Sequence, residues 1–310
     1  MTAFVLELTA MATMLLDHIQ VVFNIDPALR LIGRIAFPLY AFLIVNGYEH
    51  VRRREGGLRK YLLRLLILAL VSEIPYDLMS EGTMFDWESQ NQVLQFFIAM
   101  AALASTGWLK DHIKAGDNQV AAGNASGSVG NASVATGRAS VSAGCASGSV
   151  GNASVAVGGV SLSAGSVLSG ALCAVIWAAA IAVCHRFHIG YSGSGILLII
   201  IYKIYFDKFY DRNYAERLAY LVLMTLVFVA FEWVEVHLRA GIGVEKFISD
   251  IGWYFRWYKR NTWAAFGMPF AAAYRGDMGY NGKGFRIAYR LFYPVHQIAL
   301  WGLSVILLAA

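Results

Sequence analysis

Charged residues are scarce in this chain. Only 15% of its 310 residues are Asp, Glu, Lys or Arg, whereas 58% are hydrophobic, and the chain has five prolines and three cysteines. So low a charged fraction, combined with long apolar runs, excludes an ordinary soluble or disordered protein and predicts a polytopic membrane protein. The net charge of +5 does not indicate nucleic acid as a partner, because Lys and Arg bracket the apolar runs instead of clustering on a water-facing surface.

The cysteines give no sign of a disulfide framework or a metal centre. The three cysteines are Cys145, Cys173 and Cys184, and the last two fall in a predicted membrane span. We therefore predict no metal site from them. The first apolar stretch has no basic segment before it and is interrupted by Glu7 and Asp17. It is predicted to be a retained span, not a cleaved signal peptide.

About 20 mostly apolar residues cross a bilayer, and this criterion places nine spans along the chain. They lie at 4–23, 29–48, 59–79, 91–108, 168–185, 194–206, 217–236, 262–274 and 290–309. The predicted fold class is all-α, a polytopic transmembrane helical bundle of about nine spans. The predicted organisation is helices one to four in 1–114, a low-complexity repeat linker in 115–167, and helices five to nine in 168–310.

A heptapeptide repeat runs from Asn124 to Gly165, between the fourth and fifth predicted spans. Each unit ends in glycine and has serine at its third position, for example NASGSVG and RASVSAG. A coiled coil needs bulky apolar residues at two positions of each heptad, and these units offer Gly, Ala and Ser. The repeat is predicted to be a flexible Gly/Ala/Ser-rich loop, with a stacked β-like repeat as the alternative.

The distribution of charge predicts the orientation in the membrane. The loop His50–Lys60 carries five Lys and Arg residues, whereas the loop Asp77–Glu88 is acidic. The positive-inside rule places the basic loop in the cytoplasm, and with it the N-terminus of a multi-pass protein of the cell membrane, the inner membrane. In this topology the basic, aromatic segment Ile251–Arg260 falls outside, where it is predicted to be an interfacial amphipathic helix.

Ionisable residues inside the first two spans are the first candidates for chemistry. A charge near the bilayer centre costs roughly 2.5–3.5 kcal/mol on insertion scales, so such residues usually face a bundle interior or a partner. Asp17 and His18 are adjacent and point about 100° apart on a helix, so one is predicted to anchor while the other reacts. A packing role for His18 is the alternative. Arg34 needs an anionic partner, either Asp17 or Glu73, or it forms with Arg30 a clamp for a phosphate or carboxylate.

Polar residues at other span boundaries add further candidates. Asn91 and Gln95, one turn apart, are able to hold a polar substrate or to cap and join helices. Tyr280-Asn281-Gly282 is a turn signal, and Lys283 after it is predicted to face the cytoplasm, where it would attract anionic ligands. His296 follows Pro294 by two residues and is predicted to lie in the first turn of the last helix, near the cytoplasmic surface.

Four motifs in this order resemble the TraX family. They are MLLDHI at 14–19, LRLIGRIAFPLYAFLIVNGYEH at 29–50, KYLLRLLILALVSEIPY at 60–76, and YNGK at 280–283 followed by LFYPVH at 291–296. The family is named for a membrane protein that acetylates the N-terminus of conjugative pilin with acetyl-CoA. The resemblance implies a multispan acyltransferase with acetyl-CoA as donor and a peptide or pilin-like acceptor. The glycine-rich repeat is not part of the family's pattern.

The resemblance and the residues together predict a mechanism. Acetyl transfer from a thioester to an amine needs a base for the amine's proton and donors for the oxyanion. His18 is the candidate base. The other catalytic candidates are Asp17 or Glu73 to orient it, Arg34 and Asn91 to polarise the carbonyl or seat the acceptor, and His296. The candidates for binding coenzyme A are Arg59, Lys60, Tyr280, Asn281, Lys283 and Arg286, with Tyr280 also able to polarise the carbonyl.

Two other functions fit the same residues. An O- or N-acyltransferase acting on a glycan, lipid or small molecule would use the same histidine and the same donor. A non-enzymatic transporter would also explain charges inside the membrane, but transporters commonly carry internal repeats of span groups, which the apolar spans do not show. N-acetyl transfer is therefore the leading prediction.

Overall fold

The computed structural model describes residues 1–129, 155–157, 160–162, 164–239, 249 and 263–309. These residues form nine α-helices, one 3-10 helix and one short β-hairpin, so the predicted helical class is confirmed for the described part of the chain. The helices are α1 Ala3–Phe23, α2 Pro27–Gly33, α3 Ala36–Val51, α4 Gly57–Ser80, α5 Gln92–Val129, α6 Ala164–Arg186, α7 Ser192–Lys208, α8 Tyr214–Arg239 and α9 Lys283–Ala309, with the 3-10 helix at Trp263–Ala273.

Within the described part of the chain, five helical segments are long and apolar enough to cross a membrane. They are Ala3–Phe23, Pro27–Val51, Gln92–Ile113, Val167–Arg186 and Tyr214–Glu235. These segments coincide with the first, second, fourth, fifth and seventh predicted spans. The other four predicted spans coincide with α4, α7, the 3-10 helix and α9, which are shorter or more charged. That these four cross the membrane stays a prediction.

Part of the repeat is described. Helix α5 continues through the start of the repeat to Val129, and the strands β1 Val155–Val157 and β2 Val160–Leu162 pair antiparallel. The repeat between 130 and 154 and the predicted interfacial helix Ile251–Arg260 lie outside the described residues, so the linker and the interfacial helix stay predictions. The chain divides into a unit of Met1–Ala101 with Ala180–Ala310 and a unit of Ala102–Ala179.

The first unit has two ends, which the starts of α1 and α9 define. The Met1 ammonium donates to the Ala273 carbonyl, and the Phe4 ring centroid lies 4.7 Å from that of Phe285. Helices α1 and α9 therefore start at the same end, here called the proximal end, and run parallel. The opposite end, which holds Phe23 and Gly190, is called the distal end. The predicted topology requires Met1 and Lys283 to share a side, while the cytoplasmic location of that side stays a prediction.

Helix α2 begins sharply and packs tightly on α1. The Asp26 side chain accepts from the Ala28 N–H at 2.8 Å, and Pro27 takes the first helical position, where its missing N–H costs nothing. At the end of α2, a Cβ on Gly33 would lie 2.3 Å from the Asp17 Cβ. Glycine is therefore what lets α2 approach the α1 backbone at the residue next to His18.

The prediction that His296 lies in the first turn of the last helix is wrong. Helix α9 begins at Lys283 and continues through Pro294, so His296 lies 13 residues, or about 20 Å, from its start. An interior proline removes one backbone hydrogen bond and crowds the carbonyl four residues earlier, at a cost of about 3 kcal/mol. Packing of α9 against α4 and α1 supports the helix on both sides of the proline.

Candidate functional site

A cavity of about 1250 Å³ lies among α1, α3, α4 and α9. Its wall follows α1 from Ala3 to Val21. These residues are 18 positions apart, which corresponds to about 27 Å along a helix. Along α4 the wall extends from Tyr61 to Ser80. The cavity therefore extends over most of the length of this unit, from the proximal end towards the distal end.

Two histidines from opposite ends of the chain meet at this cavity. His18 Nδ1 lies 2.6 Å from His296 Nε2, and His296 Nδ1 lies 2.5 Å from the Phe292 carbonyl oxygen. A carbonyl oxygen only accepts, so His296 Nδ1 carries a proton. In neutral His296 the Nε2 atom is then bare and accepts the hydrogen bond from His18 Nδ1–H.

This pairing fixes the tautomer of His18. With its proton on Nδ1, neutral His18 has an unprotonated Nε2. His18 lines the cavity, whereas His296 is 6% exposed and stands behind it. The pair thus leaves His18, the histidine that lines the cavity, with one unprotonated nitrogen.

Beside His18, Asp17 and Arg34 form an ion pair in the cavity wall. Arg34 Nε lies 3.8 Å from Asp17 Oδ1, and Arg34 Nη1 donates to the Tyr191 hydroxyl oxygen at 2.9 Å. The guanidinium carbon is 5.6 Å from the Tyr191 ring centroid. Of the two anionic partners that the sequence allowed for Arg34, the structure selects Asp17 and adds a tyrosine.

Tyr191 is a site residue that the sequence analysis missed, and several contacts hold it in place. Its ring stacks on Phe37 with centroids 3.8 Å apart and planes 5° apart, and its N–H donates to Gln95 Oε1 at 2.9 Å. The turn before it needs Gly190, whose φ is +53° and whose Cβ, if present, would lie 2.6 Å from Gln95 Oε1. The small residues of Ser192–Gly195 were the available signal, because they permit close helix packing.

Glu73 and Asn91 form a separate pair. The Asn91 side chain donates to the Glu73 carboxylate and, at 2.8 Å, to the Ala69 carbonyl, while its Oδ1 accepts from the Val93 N–H at 2.9 Å. Asn91 thereby caps α5 and holds it to α4. Neither residue belongs to the described lining of the cavity, so the structure does not bring these two candidates to His18.

Arginines gather where the cavity approaches the proximal end. Asn281 and Arg286, two of the residues predicted to bind coenzyme A, are part of the lining, which there also contains Arg54, Arg64 and Arg290. Arg290 follows Arg286 by four residues, so helical spacing from that candidate was the signal for it. The remaining predicted residues are exposed and lie outside the described lining: Arg59, Lys60, Tyr280 and Lys283.

Comparison with known proteins identifies relatives of the N-terminal part of the chain. Residues 4–127 match the family described as TraX protein, and this confirms the predicted resemblance over those residues. The probable fimbrial assembly protein FimC, serogroup H1, of Dichelobacter nodosus is 33% identical over 113 residues, which are 33% of this chain and 45% of that protein. The chain thus covers less than half of this relative. No solved structure matches the chain.

Proposed function

We propose that this protein is an integral membrane acyltransferase that moves an acetyl group from acetyl-CoA to an amine, such as the N-terminus of a pilin or another exported peptide. The TraX match over residues 4–127 and the fimbrial assembly relative support a role linked to pili. The observation that carries the proposal is His18, which the His296 contact leaves with a basic nitrogen beside a cavity about 27 Å long.

The reaction uses His18 as a general base. As the amine nitrogen bonds to the thioester carbonyl carbon, His18 Nε2 takes the proton that the nitrogen loses. The carbon–sulfur bond then breaks, and protonated His18 returns the proton to the sulfur of coenzyme A. His296 accepts the hydrogen bond from His18 Nδ1 throughout and keeps the reacting nitrogen turned to the cavity.

The arginines of the proximal part support an entrance for the donor at that end. Arg54, Arg64 and Arg286 line the proximal part, where guanidinium groups suit the phosphates of coenzyme A. His18 lies 15 residues along α1 from Ala3, about 22 Å, so the acetyl group has to be carried deep into the cavity. With the proximal end in the cytoplasm, the acceptor would approach from the membrane or the distal end.

Binding and turnover of acetyl-CoA test this proposal. Purified protein in detergent is mixed with acetyl-CoA and a peptide with a free N-terminus, and binding, release of coenzyme A and the mass of the peptide are followed. The wild type is expected to bind the donor and to add one acetyl group to the peptide. His18→Ala should bind the donor and react about 10²- to 10⁴-fold more slowly.

The matched control for this experiment is His112→Ala. His112 is exposed on α5, outside the described lining of the cavity, and its Nδ1 contacts the Trp108 carbonyl. This variant should keep the wild-type rate. A wild type that neither binds acetyl-CoA nor releases coenzyme A would overturn the proposal. If it acetylated a glycan or small amine while leaving peptides unmodified, only the peptide acceptor would be overturned.

A further inference from the structure

We infer that Tyr191 donates the hydrogen bond that stabilises the oxyanion formed when the amine attacks the thioester. The inference rests on the proposed acyl transfer and assigns a catalytic hydroxyl to that same site. It starts from the arrangement in which Tyr191 and His18 both line the cavity and Arg34 contacts Tyr191.

The contact with Arg34 leaves the tyrosine proton available. Arg34 Nη1–H donates to the hydroxyl oxygen at 2.9 Å, so the oxygen acts as acceptor in this bond and its own hydrogen points elsewhere. The positive guanidinium also polarises the phenol, and charge-assisted hydrogen bonds are stronger than neutral ones. Arg34 also pairs with Asp17, the residue before His18 on α1, so Arg34 links the Tyr191 hydroxyl to the α1 segment that carries the base.

The donors predicted from the sequence are less suited to this task. Arg34 Nη1 donates to the Tyr191 hydroxyl, and the guanidinium is paired with the Asp17 carboxylate at 3.8 Å. The Asn91 side chain is engaged with Glu73 and the Ala69 carbonyl. Tyr280 is 63% exposed at the proximal end, where its ring packs against Phe4. Tyr191, in contrast, lines the cavity and carries a hydroxyl group whose proton is not donated to Arg34.

Tyr191 is also held rigidly, as an oxyanion donor must be. A preorganised donor stabilises the transition state because it need not reorient as charge develops. Stacking on Phe37 fixes the ring plane, and the bond from its N–H to Gln95 fixes the backbone. Gln95 is fully buried and in turn donates to the Ser192 carbonyl at 2.5 Å.

The step balances without another reactant. The amine lone pair forms the carbon–nitrogen bond, and the carbonyl π electrons move to the oxygen, where the Tyr191 O–H donates a hydrogen bond without transferring its proton. His18 takes the amine proton. When the carbonyl reforms, the carbon–sulfur bond breaks, and the sulfur receives the proton from His18.

Tyr191→Phe is the direct test, because it removes one oxygen and keeps the ring that stacks on Phe37. We expect kcat for acetyl transfer to fall by about 10²- to 10³-fold, the usual cost of losing one oxyanion donor, with unchanged binding of acetyl-CoA. The matched control is Tyr220→Phe, which removes a buried hydroxyl that donates to the Ile201 carbonyl at 3.0 Å, outside the described lining of the cavity. This control should keep the wild-type kcat.

A second variant separates catalysis from structure. Replacing Tyr191 by 3-fluorotyrosine keeps the shape and makes the hydroxyl a stronger donor, so kcat should differ from the wild type, whereas a purely structural role predicts no change. An active wild type with a fully active Tyr191→Phe variant would overturn the assignment, as would a variant that loses donor binding instead of kcat. An inactive wild type would instead overturn the proposed function.

Discussion

At the scale of single residues, the His18–His296 contact decides which nitrogen is basic. The chain of contacts runs from the Phe292 carbonyl through His296 to His18, and each hydrogen bond sets the tautomer of the next ring. The described lining of the cavity contains His18 and not His296. His296 is therefore a positioning residue, which acts on the substrate only through His18.

This role predicts a difference between two substitutions of His296. His296→Gln places an amide oxygen where the His18 Nδ1–H can still donate, whereas His296→Leu leaves that proton without an acceptor. We expect the leucine variant to lose roughly 10- to 100-fold in kcat, less than removal of the base itself, and the glutamine variant to retain more activity. Steady-state kinetics with acetyl-CoA and peptide measures this order. Equal rates for both variants and the wild type would contradict it.

Asn91 illustrates a buried polar residue with a structural role. Asn91→Ala removes the cap of α5 and leaves the buried Glu73 carboxylate without its amide partner. An N-cap is worth about 1 kcal/mol, so we expect at least that loss in the free energy of unfolding, with kcat per folded molecule unchanged. Thermal unfolding in detergent measures it.

The matched control for Asn91 is Asn213→Ala. Asn213 accepts from the Glu216 N–H at 2.9 Å at the start of α8 and is exposed. The Asn213→Ala variant should lose only the contribution of the N-cap to the free energy of unfolding, about 1 kcal/mol. If Asn91→Ala were no less stable than Asn213→Ala, the interpretation of the Glu73 pair would be wrong.

Sequence alone could predict some of these residues for a simple physical reason. Asp17, His18 and Arg34 are ionisable groups inside apolar stretches. Because placing a charge in the membrane costs free energy, such residues indicate a functional or paired role. Tyr191 gave no comparable signal, because the chain has 16 tyrosines and the residue is uncharged. The contact between His18 and His296 bridges 278 positions, and neither residue's local sequence contains that information.

At the scale of helices, Gly33 sets the approach of α2 to α1. A methyl group at this position would lie 2.3 Å from the Asp17 Cβ and 2.6 Å from its Cα, so the two helices would have to separate. Gly33→Ala should therefore lower the unfolding temperature by several degrees and weaken the Asp17–Arg34 pair, with a loss of acetyl transfer. Thermal unfolding and turnover are the measurements.

Gly302→Ala is the matched control for Gly33. Gly302 lies within α9, and a Cβ there meets no atom within 4 Å. Alanine is a better helix former than glycine by about 1 kcal/mol, so this variant should be as stable as the wild type or more stable. A Gly33→Ala protein as stable as Gly302→Ala would show that α1 and α2 are not as tightly packed as described.

Helix positions were predictable from hydropathy at α1, which coincides with the predicted span 4–23, whereas the predicted span 29–48 consists of the two helices α2 and α3. The start of α9 was not predictable, because Pro294 follows a run of aromatic and basic residues and suggested a helix start. The sequence could not show that packing on α4 and α1 carries the helix through the proline. This error moved His296 from the bundle interior to the surface and hid its pairing with His18.

At the scale of the whole cavity, the largest group of arginines lies in the proximal part. Arg54, Arg64, Arg286 and Arg290 line the proximal part together with Glu7, whereas the distal part contains Arg30 and Arg34 together with Asp17 and Glu81. Six helices, α1 to α5 and α9, and the turn at Gly190 contribute to this wall, and they come from both ends of the chain. Such a wall has no local sequence pattern, so the cavity itself was not predictable, although the basic loop that marks its proximal end was.

The basic lining predicts how the donor is recognised. Arg286→Ala removes a guanidinium that suits a phosphate, so KM for acetyl-CoA should rise about tenfold, the equivalent of 1.4 kcal/mol. KM for S-acetyl-pantetheine, which has no phosphate, should not change. Lys208→Ala is the control, because Lys208 is an exposed cation at the proximal end of α7, outside the described lining. An equal increase in KM for both donors would mean that Arg286 shapes the cavity without binding the phosphates. It would contradict the proposed entrance of coenzyme A at the proximal end.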